Sequence, residues 1–301
     1  MGAVTPESPR ATGGFGPPRV TRAATPADIP AMRAIFRAHD GDTEPVSGGA
    51  DVVGPYLAHL VASHHVLVVE EAPRGVIAFG ATLDTGRARM LCDLFVAPDL
   101  LGQGIGRPLL DALYDGAASR ATFSSDDPRA LPLYVRAGMT PRWINLYLEG
   151  LPVRLPDVAL SLAVRAATPS ETCGLEASWT GCLRPADHAF WASQAAADTF
   201  VVEAADGSPV AIGFGRAKQA TTARALDRLV IRPDADPVPV ALAALCRAAR
   251  GGPVQTCVLG PSPLLPVLLD AGFRIVDHDQ LLTSAPDLLD PARLLPNPGM
   301  L

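Results

Sequence analysis

The residues with the clearest capacity for chemistry are Gly102-Gln103-Gly104-Ile105-Gly106-Arg107. They follow Leu91–Val96, a stretch of strand formers that Ala97-Pro98-Asp99 ends, because proline has no N–H for a sheet ladder. After them, Pro108–Leu113 carries apolar residues at helical spacing. A strand, a glycine-rich turn and a helix start together form an anion site. Successive backbone N–H groups converge there, and the helix dipole adds partial positive charge. Glycines let a diphosphate reach that backbone without meeting a side chain. The turn is not a P-loop, since no Gly-Lys-Ser/Thr follows, and its spacing is not the G-x-G-x-x-G of dinucleotide folds. Taken alone, it reads equally well as a plain strand-to-helix connection.

The elements that must position this turn point further. Arg120–Ser124 reads as a strand, Asp127 as a cap with Pro128 at the first helical position, and the short helix after it carries Tyr134 and ends at Gly138. The pairing of LFVAP…GQGIGRPLL with LYVRAGM resembles the acetyl-CoA-binding core of the GNAT acyltransferases, over roughly residues 19–150.

The resemblance implies acetyl-CoA as co-substrate, held by Phe95, Val96, Gly102, Gln103, Gly104, Ile105, Gly106, Arg107 and Asp127. It implies direct attack of a neutral amine on the thioester, with backbone N–H groups near Phe95–Val96 polarising the carbonyl. Tyr134 stands where the family places the acid that protonates the departing thiolate. Asp127 stands at a frequent Asn of the family, and its capping role alone also accounts for it. Two positions depart from the pattern. Leu101 replaces a usual Arg or Gln, and Cys92 replaces a Glu that serves as general base in many members. Asp93 is then the nearest ionisable group on the strand and the expected base, with His64, His65 or a water chain as substitutes.

The whole chain bounds the reading. Its 301 residues suit two domains, and 48% hydrophobic with 19% charged residues suits soluble cores. A formal net charge of −6 argues against nucleic acid or an acidic membrane surface as partner. The five cysteines are odd in number and lack a C-x-x-C pair, so buried reduced thiols in a cytoplasmic protein are expected. The six histidines form no ladder, so no metal is expected. Residues 1–18 read as a disordered tail, and Asp40–Gly49 as a polar loop near an acceptor pocket. Trp143–Leu148 reads as the strand that closes the first sheet. Association into a homodimer is left open.

The chain also repeats itself. Thr21–Pro26 returns as Val164–Pro169, Gly75–Gly80 as Ser208–Gly215, Leu91–Asp99 as Leu226–Asp234, and Ala137-Gly138-Met139 as Ala271-Gly272-Phe273. The expected architecture is therefore α/β: two GNAT-like domains in tandem, each a twisted mixed sheet flanked by helices. The bounds are 19–150 and 157–301, joined by an extended, proline-stiffened linker at 151–156. At the repeat shift of 135, Gly104 falls on Pro239 and Gly106 on Ala241, and at 134 Tyr134 falls on Leu268. The second copy thus reads as a structural or acceptor-shaping domain. Arg184, Asp187, His188 and Trp191 lie either on a surface helix or on a pocket wall facing the first domain, and Arg228 either pairs across the interface or faces an acidic substrate. The leading functional expectation is a small-amine N-acetyltransferase. A transferase for longer acyl groups or hydroxyl acceptors, and a non-catalytic acyl-CoA-binding protein, are the alternatives.

Overall fold

The computed structural model describes residues 18–39, 53–156, 162–218 and 221–301. Residues 1–17 of the expected tail and the whole Asp40–Gly49 loop lie outside these residues. The first series of elements is β1 (Arg19–Ala23), α1 (Ile29–His39), α2 (Val53–Ser63), β2 (His65–Glu71), β3 (Gly75–Asp84), β4 (Arg89–Val96), α3 (Gly106–Leu113), β5 (Arg120–Ser124), α4 (Ala130–Arg136) and β6 (Thr140–Gly150). The second repeats it: β7 (Ala163–Ala166), α5 (Pro169–Thr180), α6 (Pro185–Ala192), β8 (Asp198–Glu203), β9 (Pro209–Ala217), β10 (Arg224–Ile231), α7 (Pro237–Ala249), β11 (Val254–Leu259), α8 (Leu264–Asp270) and β12 (Arg274–Thr283). A short β13 (Leu294–Leu295) follows. The expected extended linker instead holds a 3-10 turn at Pro152–Arg154.

All these strands join one sheet, in the order β1-β2-β3-β4-β5-β12-β6-β11-β10-β9-β8-β7, with β13 set against β10. The order corrects one expectation. β6 was expected to close the first half, but it pairs with β11 of the second, while β12 pairs with β5 of the first. β6 and β12 also pair with each other along the middle of the sheet. Each half donates its last strand to the other. Alternation of apolar and polar residues sets which face a strand buries and leaves its neighbour unspecified, so the exchange was not legible in the sequence.

Helices cover both faces. On one face α3 buries Leu109, Leu110 and Leu113 against Leu91 and Val96, and α7 packs Val240, Leu242 and Leu245 against Leu226, Leu229 and Ile231. On the other, α1 and α2 bury Met32, Ile35, Leu57 and Leu60 over Val66, Val68 and Phe79. Between the halves, Met90, Trp191, Phe214, Val230, Met300 and Leu301 share a further core. Among the described residues no helix is long and apolar enough to cross a membrane.

Candidate active site

β4 and β5 run parallel and pair only at Arg89–Leu91 with Arg120–Thr122. Beyond Leu91 the two strands part, and the groups that face that gap can be worked out from the antiparallel ladder with β3. Ala97 N–H donates to Ile77 O at 2.8 Å. In an antiparallel ladder, backbone groups alternate between facing the neighbour and facing away. The register Ala78↔Val96, Phe79↔Phe95, Gly80↔Leu94 therefore turns Phe95 towards β3 and the N–H groups of Leu94 and Val96 into the gap. Val96 O turns the same way, and His39 Nε2 lies 2.7 Å from it.

The second half shows what such a gap accepts. Its β10 and β11 also part after three paired residues, but β13 lies along β10 there, with Leu229↔Leu295 and Val230↔Leu294. Ile231, the counterpart of Val96, donates its N–H to Arg293 O at 2.9 Å. The donor that faces the gap in the first half is taken up in the second by the chain itself.

The glycine turn follows the same contrast. Gly102 and Gly104 adopt φ of +78° and +75°, where glycine is the residue without strain, and no atom lies within 4 Å of where a Cβ would stand on either. α3 begins at Gly106 with no side chain capping it, so its first N–H groups remain open to an anion. Ile105 is buried and anchors the turn. Gln103 accepts from Arg19, and Arg107 pairs with Asp111. In the second half the turn is missing altogether. α3 starts ten residues after β4 ends, whereas α7 starts six after β10 ends. Pro239 and Ala241 therefore stand inside a helix and are not the turn residues that constant spacing made them. The Asp236 side chain accepts from Val238 N–H and caps that helix, which places negative charge where the first half leaves an opening.

Asp93 and Tyr134 flank the gap from opposite faces of the sheet. Asp93 is buried on the α2 side, where Tyr56 donates its hydroxyl to Oδ2 at 2.9 Å. Burial pushes the Asp93 carboxyl up to about 7, against the lowering effect of that hydrogen bond. Tyr134 is buried on the α3 side. Burial is the main cause raising its hydroxyl well above the usual phenol range, and the Asp93 and Asp127 carboxylates add to it. The phenol therefore stays protonated and can act as a donor. Tyr56 went unnoticed in the sequence, where a single tyrosine in an apolar helix gives no sign of its partner.

The other candidates are placed as follows. Cys92 is held as a neutral thiol, because burial pushes its ionisation well up, so it does not replace the missing carboxylate. Asp127 is engaged with Arg129 through both backbone N–H and guanidinium, at 2.7–3.2 Å. α4 starts at Ala130, two residues later than the cap reading implied. His64 Nε2 lies 2.7 Å from Asp187 Oδ1, across the seam between the halves. His65 begins β2 and is exposed at its edge, its imidazole lowered first by burial and then by Arg89. Arg184, Asp187, His188 and Trp191 are all buried, and Asp187 faces His59 and His64 of the first half. Arg228 makes a bidentate pair with Glu176 of its own half, at 2.9 and 2.6 Å, and donates to Leu301 O. The four described cysteines other than Cys246 are at least partly buried, and all five are free.

Comparison with known proteins fits this geometry. The family description "Acetyltransferase (GNAT) domain" matches residues 62–140, which span the gap, the glycine turn and Tyr134. The chain carries a GNAT acetyltransferase domain. It is therefore of the acyltransferase class. A search of the curated proteins found no match. Among solved structures, a provisionally assigned acetyltransferase from Pyrococcus horikoshii superposes with a TM-score of 0.67 at 13% identity, covering 98% of both chains. A tandem GNAT protein from the clavulanic acid biosynthesis pathway gives 0.58 at 14%, covering 91% of this chain and 99% of its own. A GCN5-related N-acetyltransferase from Sphaerobacter thermophilus gives 0.53 at 14%, covering 88% and 95%. The tandem GNAT architecture is thus shared along nearly the whole length.

Proposed function

We propose that the first half is an acetyl-CoA-dependent N-acetyltransferase acting on a small amine, in the cytoplasm. The second half completes its sheet and walls the acceptor side. The observation that carries this reading is the pair Asp93 and Tyr134, a carboxyl near 7 and a protonated phenol on opposite faces of the opening between β4 and β5.

Gly102–Arg107 and the open start of α3 suit a diphosphate, and the opening beside Leu94 and Val96 suits an extended pantetheine arm. Acetyl-CoA bound there supplies an activated acyl thioester. Asp93 takes the proton from the attacking amine. Its raised value suits that task, since a base is most effective when its pKa lies near the working pH. Tyr56 holds the carboxylate by one oxygen and leaves the other for the amine. The N–H of Val96 faces the carbonyl that gains charge. Tyr134 gives its proton to the departing sulfur. Placement of the two reactants alone contributes on the order of 7–11 kcal/mol in favourable cases.

The test is release of free thiol from acetyl-CoA across a panel of small amines. Amine-dependent release that Asp93→Asn abolishes supports the reading. Tight acetyl-CoA binding with no release for any amine supports a binding protein instead, and faster release with longer acyl donors or alcohols supports the wider acyltransferase reading.

A further inference from the structure

His59, His64 and Asp187 serve no part of this mechanism, yet three ligand-type atoms converge there. The Nε2 atoms of both imidazoles lie 2.7 Å from the same carboxylate oxygen, Oδ1 of Asp187. All three atoms lie within 4.8 Å of one another. His59 comes from α2, His64 from the residue after that helix ends, and Asp187 from the first turn of α6. We propose that these three side chains form a binding site for a divalent transition-metal ion, Zn2+ or a chemical equivalent, which ties the first half to the second.

The donor set favours this. Two imidazoles and one carboxylate suit Zn2+, Co2+ and Fe2+, and leave positions for water. A plain hydrogen-bonded tie between the halves needs only one of the imidazoles. The second, aimed at the same oxygen, is what a three-ligand site requires. The ligands are held in place from behind, as metal ligands usually are. Arg184 Nε bonds Asp187 Oδ2 at 2.7 Å, which fixes the rotation of the carboxylate and leaves Oδ1 to the imidazoles. Phe190 stacks on the His59 ring with centroids 4.3 Å apart and planes 7° from parallel. The side chains of His59, His64 and Asp187 are only 9%, 11% and 2% exposed.

The rearrangement is small. Zinc bonds of about 2.0–2.2 Å put neighbouring ligand atoms about 3.0–3.5 Å apart, so each Nε2–Oδ1 distance opens by about half an ångström. The two imidazole N–H bonds to Oδ1 are given up, and each ring turns a nitrogen lone pair to the ion with its N–H on Nδ1. A cavity of about 340 Å³ lined by Ser63, His65, Asp84, Leu183 and Asp187 adjoins the site and has room for water on the ion. Asp84 adds a carboxylate to that cavity, which Arg89 and Arg184 also line, Arg184 being paired with Asp187. The histidine spacing gave no warning, because the third ligand lies 123 residues beyond His64.

The test uses the full chain, stripped with a chelator and titrated with Co2+ while its visible absorption is followed. The expected result is one Co2+ per chain, displaced by Zn2+, with a higher melting temperature in the metal-bound form. His59→Gln and His64→Gln should each weaken uptake by at least about tenfold. X-ray absorption on the Zn2+-loaded native chain reads the ligands without relying on any variant, and should show two imidazoles with oxygen. No uptake of Co2+ or Zn2+ by the stripped chain, undiminished uptake in folded variants of both histidines, or sulfur scattering from a cysteine would each overturn the proposal.

Discussion

Tyr56 donates its hydroxyl to Asp93 Oδ2 at 2.9 Å, so a helix of one layer holds the carboxylate of the central strand beneath it. The bond favours the ionised carboxylate, while burial favours the protonated one and wins, leaving Asp93 near 7. If Asp93 is the base, kcat/KM should rise with pH through an acid limb near 7. Tyr56→Phe removes the stabilising bond and should move that limb to higher pH. Asp93→Asn should remove the limb together with most of the activity, by about 10²–10⁴-fold. An acid limb that survives Asp93→Asn would assign the base elsewhere.

The same carboxyl should leave a mark on stability. Its folded value lies above that of an unfolded aspartate, so between pH 4 and 7 the folded chain binds more protons than the unfolded one. The contribution is fully present below the unfolded value of about 4 and is lost as pH rises through 7. Melting temperatures of the native chain and Asp93→Asn should therefore diverge with rising pH, with Asn the more stable at pH 8. Parallel curves across that range would contradict the raised value.

Tyr134→Phe keeps the ring and its packing and removes the proton. Acetyl-CoA affinity should hold within a few-fold while kcat falls by about 10²–10⁴. The loss should shrink for thioesters with more acidic leaving thiols. Near-full kcat with chemistry rate-limiting would return Tyr134 to a packing role in the α3 core.

Strand exchange gives a prediction for dissection. A chain ending near Leu151 loses β12 and β11, so β5 is left with an open edge and β6 with no partner on either side. Open edges of this kind pair between molecules. Such a chain should aggregate, and co-expression with residues 152–301 should restore solubility. A soluble, folded and active first half on its own would mean that the exchange is not required.

Much of this was legible in the sequence, for identifiable reasons. Leu91–Val96, the glycine turn and the helix at Pro108 announce themselves because strand alternation, positive-φ glycines and 3.6-residue spacing are local. The β2 and β5 limits, His65–Glu71 and Arg120–Ser124, were readable to the residue. What was not legible is pairwise and distant. Nothing in Trp143–Leu148 says that β11 lies beside it, and nothing near Tyr56 points to Asp93. The second half was expected to lack donor binding because of Pro239. The structure shows other differences there: a turn four residues shorter, an Asp236 cap, and Arg293 O accepting from Ile231 N–H. Arg228 was expected at an interface or a substrate, but Glu176 and Leu301 engage it.

The central claim is that the donor site exists once, at the opening beside Val96, and that β13 has closed its counterpart. Calorimetric titration with acetyl-CoA tests it most directly. The expected result is one molecule per chain. Gly104→Val, which forces a branched side chain to φ near +75° at the diphosphate turn, should abolish the binding, and Pro239→Gly should leave it unchanged. Two equivalent sites per chain, or a single site indifferent to Gly104→Val, would contradict the account.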